Sequence, residues 1–195
     1  MFPKIAKNLT DHLVLNQVIP ESDSEVYSFG FEVGFSMIVN LVLSFVIGFF
    51  IGMPLEGLLL LAVFIPLRSF AGGFHASNQF RCLWLSVLAV GAVLLFARFA
   101  ASVLTPMPIM LIGVISAVII AVLSPVSDTN KPLDKIEIQT LKKRTRIALC
   151  VNLLVLLLLL LFGFAAASLV SALTLLMVCL SLCFGAVKNL LAKSC

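Results

Sequence analysis

Long, mostly uncharged hydrophobic runs alternate with short polar segments along most of the chain. The first run, residues 33–52, has 20 residues and stops before Pro54, which matches the ~20 apolar residues that a helix needs to cross a bilayer. Three more runs lie at residues 55–67, 80–103 and 109–124. The first of these three is short for a span and ends at Pro66 and Arg68. The pattern predicts four membrane-spanning helices.

The last hydrophobic stretch, residues 147–187, contains 41 residues without a charge. It is too long for one span and right for two, so we expect a break at residues 163–168. A turn is predicted at residues 105–108 and a polar loop at residues 126–146. The chain is therefore predicted to be an all-α, polytopic membrane protein with about six transmembrane helices.

The N-terminal segment differs from these runs, because its apolar residues are spaced and its other positions are polar. Ile5, Leu9 and Leu13 recur every four residues, which is typical of a helix that lies in the membrane interface. A cytoplasmic helix packed on the bundle is the alternative. We expect one domain over residues 1–195, and its parts are a helical segment at 1–28, six spans within 29–187 and a tail at 188–195.

Composition narrows the class of protein. Hydrophobic residues make up 62% of the chain and charged residues 11%, whereas a soluble domain carries about 25% charged residues. Soluble globular and disordered chains are both excluded. The first 28 residues have charges and no long apolar core, so they do not form a secretory signal peptide. A net charge of +4, scattered along the chain, does not indicate nucleic-acid binding.

The positive charges are distributed unevenly between the two sides that six crossings define. Twelve of the thirteen Lys and Arg residues fall on one side, and Arg98 is the exception. Because cytoplasmic loops of membrane proteins are enriched in Lys and Arg, we expect both termini and the connection at residues 68–81 to be cytoplasmic.

The five cysteines do not form a disulfide framework, since their number is odd and most lie in apolar runs. Cys150, Cys179 and Cys183 are expected to pack as small hydrophobic residues. Cys82 is different, because it alone has cationic side chains, such as Arg81, for neighbours.

The densest group of polar residues, 68–82, lies at the predicted junction of the second and third spans. It contains His75, one of two histidines in the chain, and Cys82. A thiolate is a nucleophile, and an imidazole can take the thiol proton. Ser77 or Asn78 can cap the third helix, which would place Cys82 in its first turn, where the helix dipole favours an anion.

His75 and Cys82 can meet only if the chain breaks between the two helices, since seven residues of straight helix rise ~10.5 Å. Gly72 and Gly73 are suitable helix breakers. Other interpretations stay open: His75 as a partner of lipid headgroups or carbonyls, and Cys82 as a packing residue. One His and one Cys fall short of the four ligands of a zinc site, so no metal is predicted.

Three segments of the chain carry recognisable motifs. The most specific is Arg68-x-x-x-Gly72-Gly73-x-His75-Ala76, followed by Cys82 and Ser86. The others are residues 27–32, before the first span, and residues 124–133, which contain Asn-Lys-Pro. Together with the six-span layout they cover nearly the whole chain. These segments resemble the AgrB family of membrane peptidases, which belongs to accessory-gene-regulator quorum-sensing systems.

The resemblance implies a membrane cysteine endopeptidase without a cofactor. Its substrate would be an AgrD-like precursor peptide, which loses its C-terminal tail and is cyclised to a thiolactone or lactone, the autoinducing peptide. Cys82 matches the nucleophile that forms an acyl-enzyme, and His75 matches the general base and acid. Arg68, Gly72 and Gly73 match positions that support this site.

Substrate contacts are predicted at several polar positions. Backbone amides of residues 77–81 or the side chain of Gln79 could stabilise the oxyanion. An amphipathic precursor leader would bind the inner leaflet of the bilayer, and an acidic tail would meet a basic cluster formed by Lys142, Lys143, Arg144 and Arg146. A positive-inside anchor explains that cluster equally well. Some family members carry a basic run where this chain has Lys131 alone, and Glu32 is a further candidate at the first span.

A non-enzymatic exporter or scaffold for a signalling peptide is the alternative function. The sequence has no internal repeat, no nucleotide-binding loop and few polar residues within the spans, all of which favour the peptidase. A homodimer is considered, but the sequence carries no interface signature.

Overall fold

The structure, a computed structural model, describes residues 2–72, 79–126 and 134–193. These residues form α-helices joined by short turns, with a 3₁₀ turn at Glu21–Asp23. The helices are α1 (Phe2–Leu15), α2 (Ser24–Ile51), α3 (Pro54–Ala71), α4 (Gln79–Ala100), α5 (Pro106–Leu123), α6 (Lys135–Leu161) and α7 (Ala165–Lys193). The predicted all-α, polytopic membrane fold is confirmed.

The chain divides into two compact units, Met1–Leu43 and Ser44–Cys195. In the first unit, α1 buries Ala6 and Thr10, and the Thr10 hydroxyl donates to the Ala6 carbonyl at 2.9 Å. Ile5 and Leu9 of α1 are 46% and 37% exposed. The predicted N-terminal helix is confirmed. α2 begins at Ser24, nine residues before the uncharged run, because no proline interrupts residues 24–32.

The second span was predicted to end at Pro66 and Arg68, and this prediction is wrong. α3 continues through Pro66 to Ala71 and is 18 residues long. Leu67 and Ala71, which follow the proline, are fully buried. Their packing stabilises the helix beyond Pro66, and membrane helices tolerate an internal proline when neighbouring helices support the backbone. The helix ends at Gly72, which has φ 74°.

The prolines of the predicted turn at residues 105–108 belong to α5 instead. α5 begins at Pro106, with Thr105 as the residue before it. Pro106 and Pro108 lie in the first turn, where backbone N–H groups have no partner within the helix, so prolines cost little there. α4 ends at Ala100, three residues before the predicted end of the third span.

The predicted loop at residues 126–146 is wrong for its second half. Asp134 and Glu137 form a capping box that starts α6 at Lys135, because each side chain accepts a hydrogen bond from a backbone N–H of the first turn. The predicted break at residues 163–168 is confirmed at its first residues only. α6 ends at Leu161, Gly163 has φ 75°, and α7 starts at Ala165.

In the second unit α7 packs against α3, α4, α5 and α6. Buried residues form two layers. The first layer includes Met53, Leu60, Leu94, Ile109, Leu156 and Leu169. The second includes Leu67, Ala71, Ile120, Leu149, Cys179 and Leu182. The helices α3, α5 and α7 start in the first layer and end in the second. α6 runs from the second layer to the first, and α4 ends in the first. Successive helices from α3 to α7 therefore alternate in direction.

Five helices of the described residues, α2, α3, α5, α6 and α7, are long and apolar enough to cross a membrane. The apolar part of α4, Trp84–Ala100, is shorter. α4 lies between α3 and α5 in the chain and runs in the opposite direction to both.

Two of the three cysteines predicted to pack as hydrophobic residues do so. Cys179 is buried in the second layer and Cys183 is half-buried against it. Cys150 is exposed on α6, so its predicted packing is wrong. Sequence alone places Cys150 in an apolar run without showing which face of α6 turns outward.

Candidate active site

The ends of α3 and α5 are joined at the second-layer end of the bundle. Val126, which follows α5 and Pro125, donates its backbone N–H to the Ala71 carbonyl at 3.0 Å. Gly72 and Val126 form a parallel β-bridge. We call this pairing the Gly72–Val126 junction. It fixes the backbone at the residue from which the His75 segment departs.

Arg68 closes the last turn of α3 at the same place. Its guanidinium Nη1 donates to the Gly72 carbonyl, and the Gly72 N–H donates to the Arg68 carbonyl at 3.3 Å. A cation in the last turn also opposes the negative end of the helix dipole. Arg68, predicted to support the site, is therefore shown to hold the residue that precedes Gly73.

Gly72 has no acceptable replacement in this conformation. Its φ of 74° lies in the left-handed region, which glycine enters without steric cost. A Cβ at this position would overlap the carbonyl oxygen of Val126 and lie 3.2 Å from the carbonyl carbon. The predicted helix break at Gly72 is thereby confirmed.

The backbone of Cys82 lies in the first turn of α4. The helix begins at Gln79, so Cys82 is its fourth residue, as the sequence predicts. Ser86 lies one turn later and is half-buried, on the same helix face as Cys82. The N-terminal turn of a helix carries positive potential from its unpaired N–H groups, which favours a thiolate.

Several predicted residues lie outside the described part of the chain. His75, Gly73 and Lys131 belong to residues 73–78 and 127–133, and the side chains of Gln79 and Cys82 are likewise outside it. The contact between His75 and Cys82 therefore stays a prediction.

The basic cluster of Lys142, Lys143, Arg144 and Arg146 lies on α6, near its start. Thr145 is fully buried, so these four side chains fan around the outward side of the helix. Lys142 is half-buried and the other three are exposed. The guanidinium carbon of Arg144 lies 5.8 Å from the centre of the Phe70 ring, a cation–π distance. Because Phe70 is two residues before Gly72, one edge of the cluster lies at the end of α3.

Glu32 lies on α2 within the first unit and is half-buried. The nearby rings of Tyr27 and Phe31 are 6.5 Å apart. No group of three or more His, Cys, Asp or Glu side chains in residues 2–72, 79–126 and 134–193 is arranged to hold a metal ion.

Sequence reasoning missed two contacts. The first is the Gly72–Val126 junction, which joins residues 54 positions apart and has no local signal. The second lies at the opposite end of the bundle, where Arg98 Nη1 donates to the Ile51 carbonyl. Arg98 was the exception to the charge distribution. Its position is explained by this contact, because Arg98 lies in the last turn of α4 and binds the last carbonyl of α2. The sequence signal that could have revealed it was a single cation, Arg98, at the end of a hydrophobic run on the side of the membrane with no other Lys or Arg.

The fold defines a polytopic membrane protein. At this end of the bundle one helix, α3, ends at a glycine, and the next, α4, has a cysteine in its first turn. The family model of accessory gene regulator B (AgrB) matches residues 4–182 of the chain, so the protein belongs to the AgrB family. The family acts in quorum sensing, and its members are described as membrane peptidases that process AgrD. Searches among curated proteins and solved structures find no match.

Proposed function

We propose that the protein is a cysteine endopeptidase that removes the C-terminal tail of an AgrD-like precursor and promotes its cyclisation. The observation that carries the proposal is the position of Cys82 in the first turn of α4, in a chain matched by the AgrB model over residues 4–182. The closed end of α3 at Gly72 adds support, because it ends the helix three residues before His75.

The proposed first step is acylation of the enzyme. His75 takes the proton of the Cys82 thiol, and the thiolate attacks the backbone carbonyl at the end of the signal segment. The C–N bond of the resulting oxyanion breaks, and the imidazolium gives its proton to the departing amine. The tail leaves with a free amino group, and the remaining peptide is a thioester on Cys82.

The second step closes the ring. A thiol or hydroxyl inside the precursor attacks the thioester carbonyl and gives its proton to His75. The Cys82 thiolate then leaves, and the product is a thiolactone or a lactone. Exchange of one thioester for another is nearly balanced in energy, so a thiolactone needs no ATP. Water must be excluded at this stage, and a site at the membrane surface favours that.

Local charge supports the thiolate. The N-terminal end of a helix stabilises an adjacent anion by about 0.3–1 kcal/mol. Arg68 contributes a second positive charge at this end of the bundle while its guanidinium holds Gly72. Gln79, the first residue of α4, and backbone amides of that turn remain our candidates for the oxyanion donors.

The basic cluster on α6 is proposed to bind the acidic tail of the precursor. Arg144 is the member whose position favours this, because it lies against Phe70 at the end of α3. Its neighbours Lys142, Lys143 and Arg146 would attract the tail and also act as a positive-inside anchor. Lys131 and Glu32 are further proposed contacts.

We propose that the second-layer end of the bundle faces the cytoplasm. The start of α6 with its basic cluster and the C-terminal end of α7 lie at this end, as the alternating helix directions require. Cytoplasmic enrichment of Lys and Arg then orients the protein in the bacterial plasma membrane. The precursor, made in the cytoplasm, would reach Cys82 from the inner leaflet.

An exporter or scaffold is the competing function. α6 and α7 bury polar side chains inside the bundle, among them Asn152, Ser168 and Thr174. Each of these side chains donates to a carbonyl three or four residues earlier in its own helix, so they do not favour a polar path. The homodimer has no support in the structure or the comparisons.

The test is cleavage of an AgrD-type precursor by purified protein in liposomes. Cys82→Ala should abolish cleavage and the thioester adduct seen by mass spectrometry of the intact protein. A control variant replaces the other four cysteines, Cys150, Cys179, Cys183 and Cys195, and should keep most of the activity. Cleavage by Cys82→Ala, or an adduct on another residue, would refute the assignment of the nucleophile.

A further inference from the structure

We infer that Val126 is a positioning residue of the proposed peptidase: its backbone fixes Gly72, and Gly72 fixes the start of the segment that carries His75. The inference rests on the proposed function. It adds a role for the connection after α5, to which neither the motif nor the proposed mechanism assigns one.

The contacts that carry this inference are backbone contacts between two helix ends. The Val126 N–H donates to the Ala71 carbonyl at 3.0 Å, and Gly72 bridges Val126. From the other side, Arg68 donates to the Gly72 carbonyl. Gly72 is therefore held through the Ala71 carbonyl, its own N–H and its own carbonyl.

The junction leaves no space for a side chain at residue 72. An added Cβ would overlap the Val126 carbonyl oxygen and lie 3.2 Å from its carbon and 3.5 Å from its nitrogen. These are backbone atoms, which cannot rotate away as the end of a flexible side chain can. Since carbon contacts are optimal at about 3.5–4.0 Å, a methyl group must move the two segments apart by about 1 Å.

Such a displacement matters because His75 is three residues beyond Gly72. A shift of about 1 Å in a positioned group can lower a reaction rate by about 100-fold. The junction would thus act through His75 on the chemical step, without touching the substrate. We expect kcat to fall and KM to stay within about twofold, the pattern of an interaction that acts in the transition state.

Gly163 offers a matched control. Its φ is 75°, against 74° for Gly72, and a Cβ there meets no atom of the described residues within 4 Å. Gly163→Ala therefore introduces the same unfavourable backbone conformation without the clash. Comparison of Gly72→Ala with Gly163→Ala separates displacement at the junction from left-handed strain.

The experiment measures cleavage by the full chain in liposomes, with a synthetic precursor that has an amphipathic leader, an internal cysteine and an acidic tail. We expect kcat of Gly72→Ala to be about 100-fold lower, while Gly163→Ala keeps kcat within about threefold of the natural sequence. Equal kcat for the two variants would overturn the inference.

A second pair of variants tests Val126 directly and decides the matter if Gly72→Ala does not fold. The α-hydroxy acid analogue of valine at position 126 removes the N–H that donates to Ala71 and keeps the side chain. Its kcat should fall about tenfold, as expected for a lost hydrogen bond. Val126→Ala keeps the N–H and should lower kcat less than the ester variant does. Full activity of the ester variant would overturn the inference. Absence of cleavage by the natural sequence under the same conditions would instead reject the peptidase proposal itself.

Discussion

Arg98 provides the sharpest test of how the bundle is held at its first-layer end. It lies in the last turn of α4, and its guanidinium donates to the carbonyl of Ile51, the last residue of α2. One cation thus serves two helix C-termini. Arg98→Met removes the charge and the donor and keeps most of the apolar stem. We expect this variant to lower the free energy of unfolding.

The magnitude follows from two contributions. A cation at a helix C-terminus stabilises it by about 0.3–1 kcal/mol, and a hydrogen bond to a charged group contributes about 1.5–3 kcal/mol. Arg98 is exposed, so solvent weakens both contributions, and we expect a total loss of about 1–2 kcal/mol. This corresponds to a roughly five- to thirtyfold change in the unfolding equilibrium.

Gly52 allows a double-mutant cycle on the same contact. It has φ 78°, and a Cβ there would lie 2.7 Å from Nη1 of Arg98. Gly52→Ala should therefore cost about 1–2 kcal/mol from the left-handed conformation and also displace the guanidinium. In the Arg98→Met background the second cost disappears, so the two losses should be less than additive by about 1 kcal/mol.

The assay is reversible unfolding in mixed detergent micelles, followed by circular dichroism. Lys143→Met removes an exposed cation from the other end of the bundle and is the control for net charge. It should change the unfolding free energy by less than about 0.5 kcal/mol. A loss in Arg98→Met no larger than in Lys143→Met, or strict additivity in the cycle, would show that the contact with Ile51 does not stabilise the fold.

Two other predictions concern the bundle interior and its orientation. Ser171 of α7 is fully buried, and its hydroxyl has no hydrogen-bond partner among the residues that the structure describes, so Ser171→Ala should raise the melting temperature. Ser168→Ala removes a 2.9 Å hydrogen bond to the Ala165 carbonyl and should not raise it. A lower melting temperature for Ser171→Ala would contradict this prediction. In a variant with Cys82 as its single cysteine, a membrane-impermeant thiol reagent should label inverted vesicles and not intact cells; fast labelling of intact cells would overturn the proposed orientation.

The distribution of hydrophobic residues was sufficient to predict the fold class. A helix in a bilayer satisfies its own backbone hydrogen bonds, so its presence and approximate position depend on local composition. The break between α6 and α7 and the start of α4 near Cys82 were predicted for this reason. The resemblance of the His75–Cys82 segment to the AgrB family was likewise carried by local residues, and the family model confirms it over residues 4–182.

Helix ends were predicted less well, because packing decides them together with local signals. Pro66 indicates a helix end by itself, yet α3 continues to Ala71, since the turn after the proline is buried in the second layer. The charged residues at 135–146 indicate a loop by their polarity, yet the capping box at Asp134 starts α6 there. Polarity shows exposure to water, and an exposed segment can still be helical.

The sequence alone therefore determined which segments enter the membrane, the asymmetry of charge between their ends and the residues capable of chemistry. Only the tertiary structure decided how helix ends meet. The pairing of Gly72 with Val126 and the contact of Arg98 with Ile51 join residues far apart in the chain. Such contacts depend on the direction and spacing of packed helices, and no local pattern of residues encodes them.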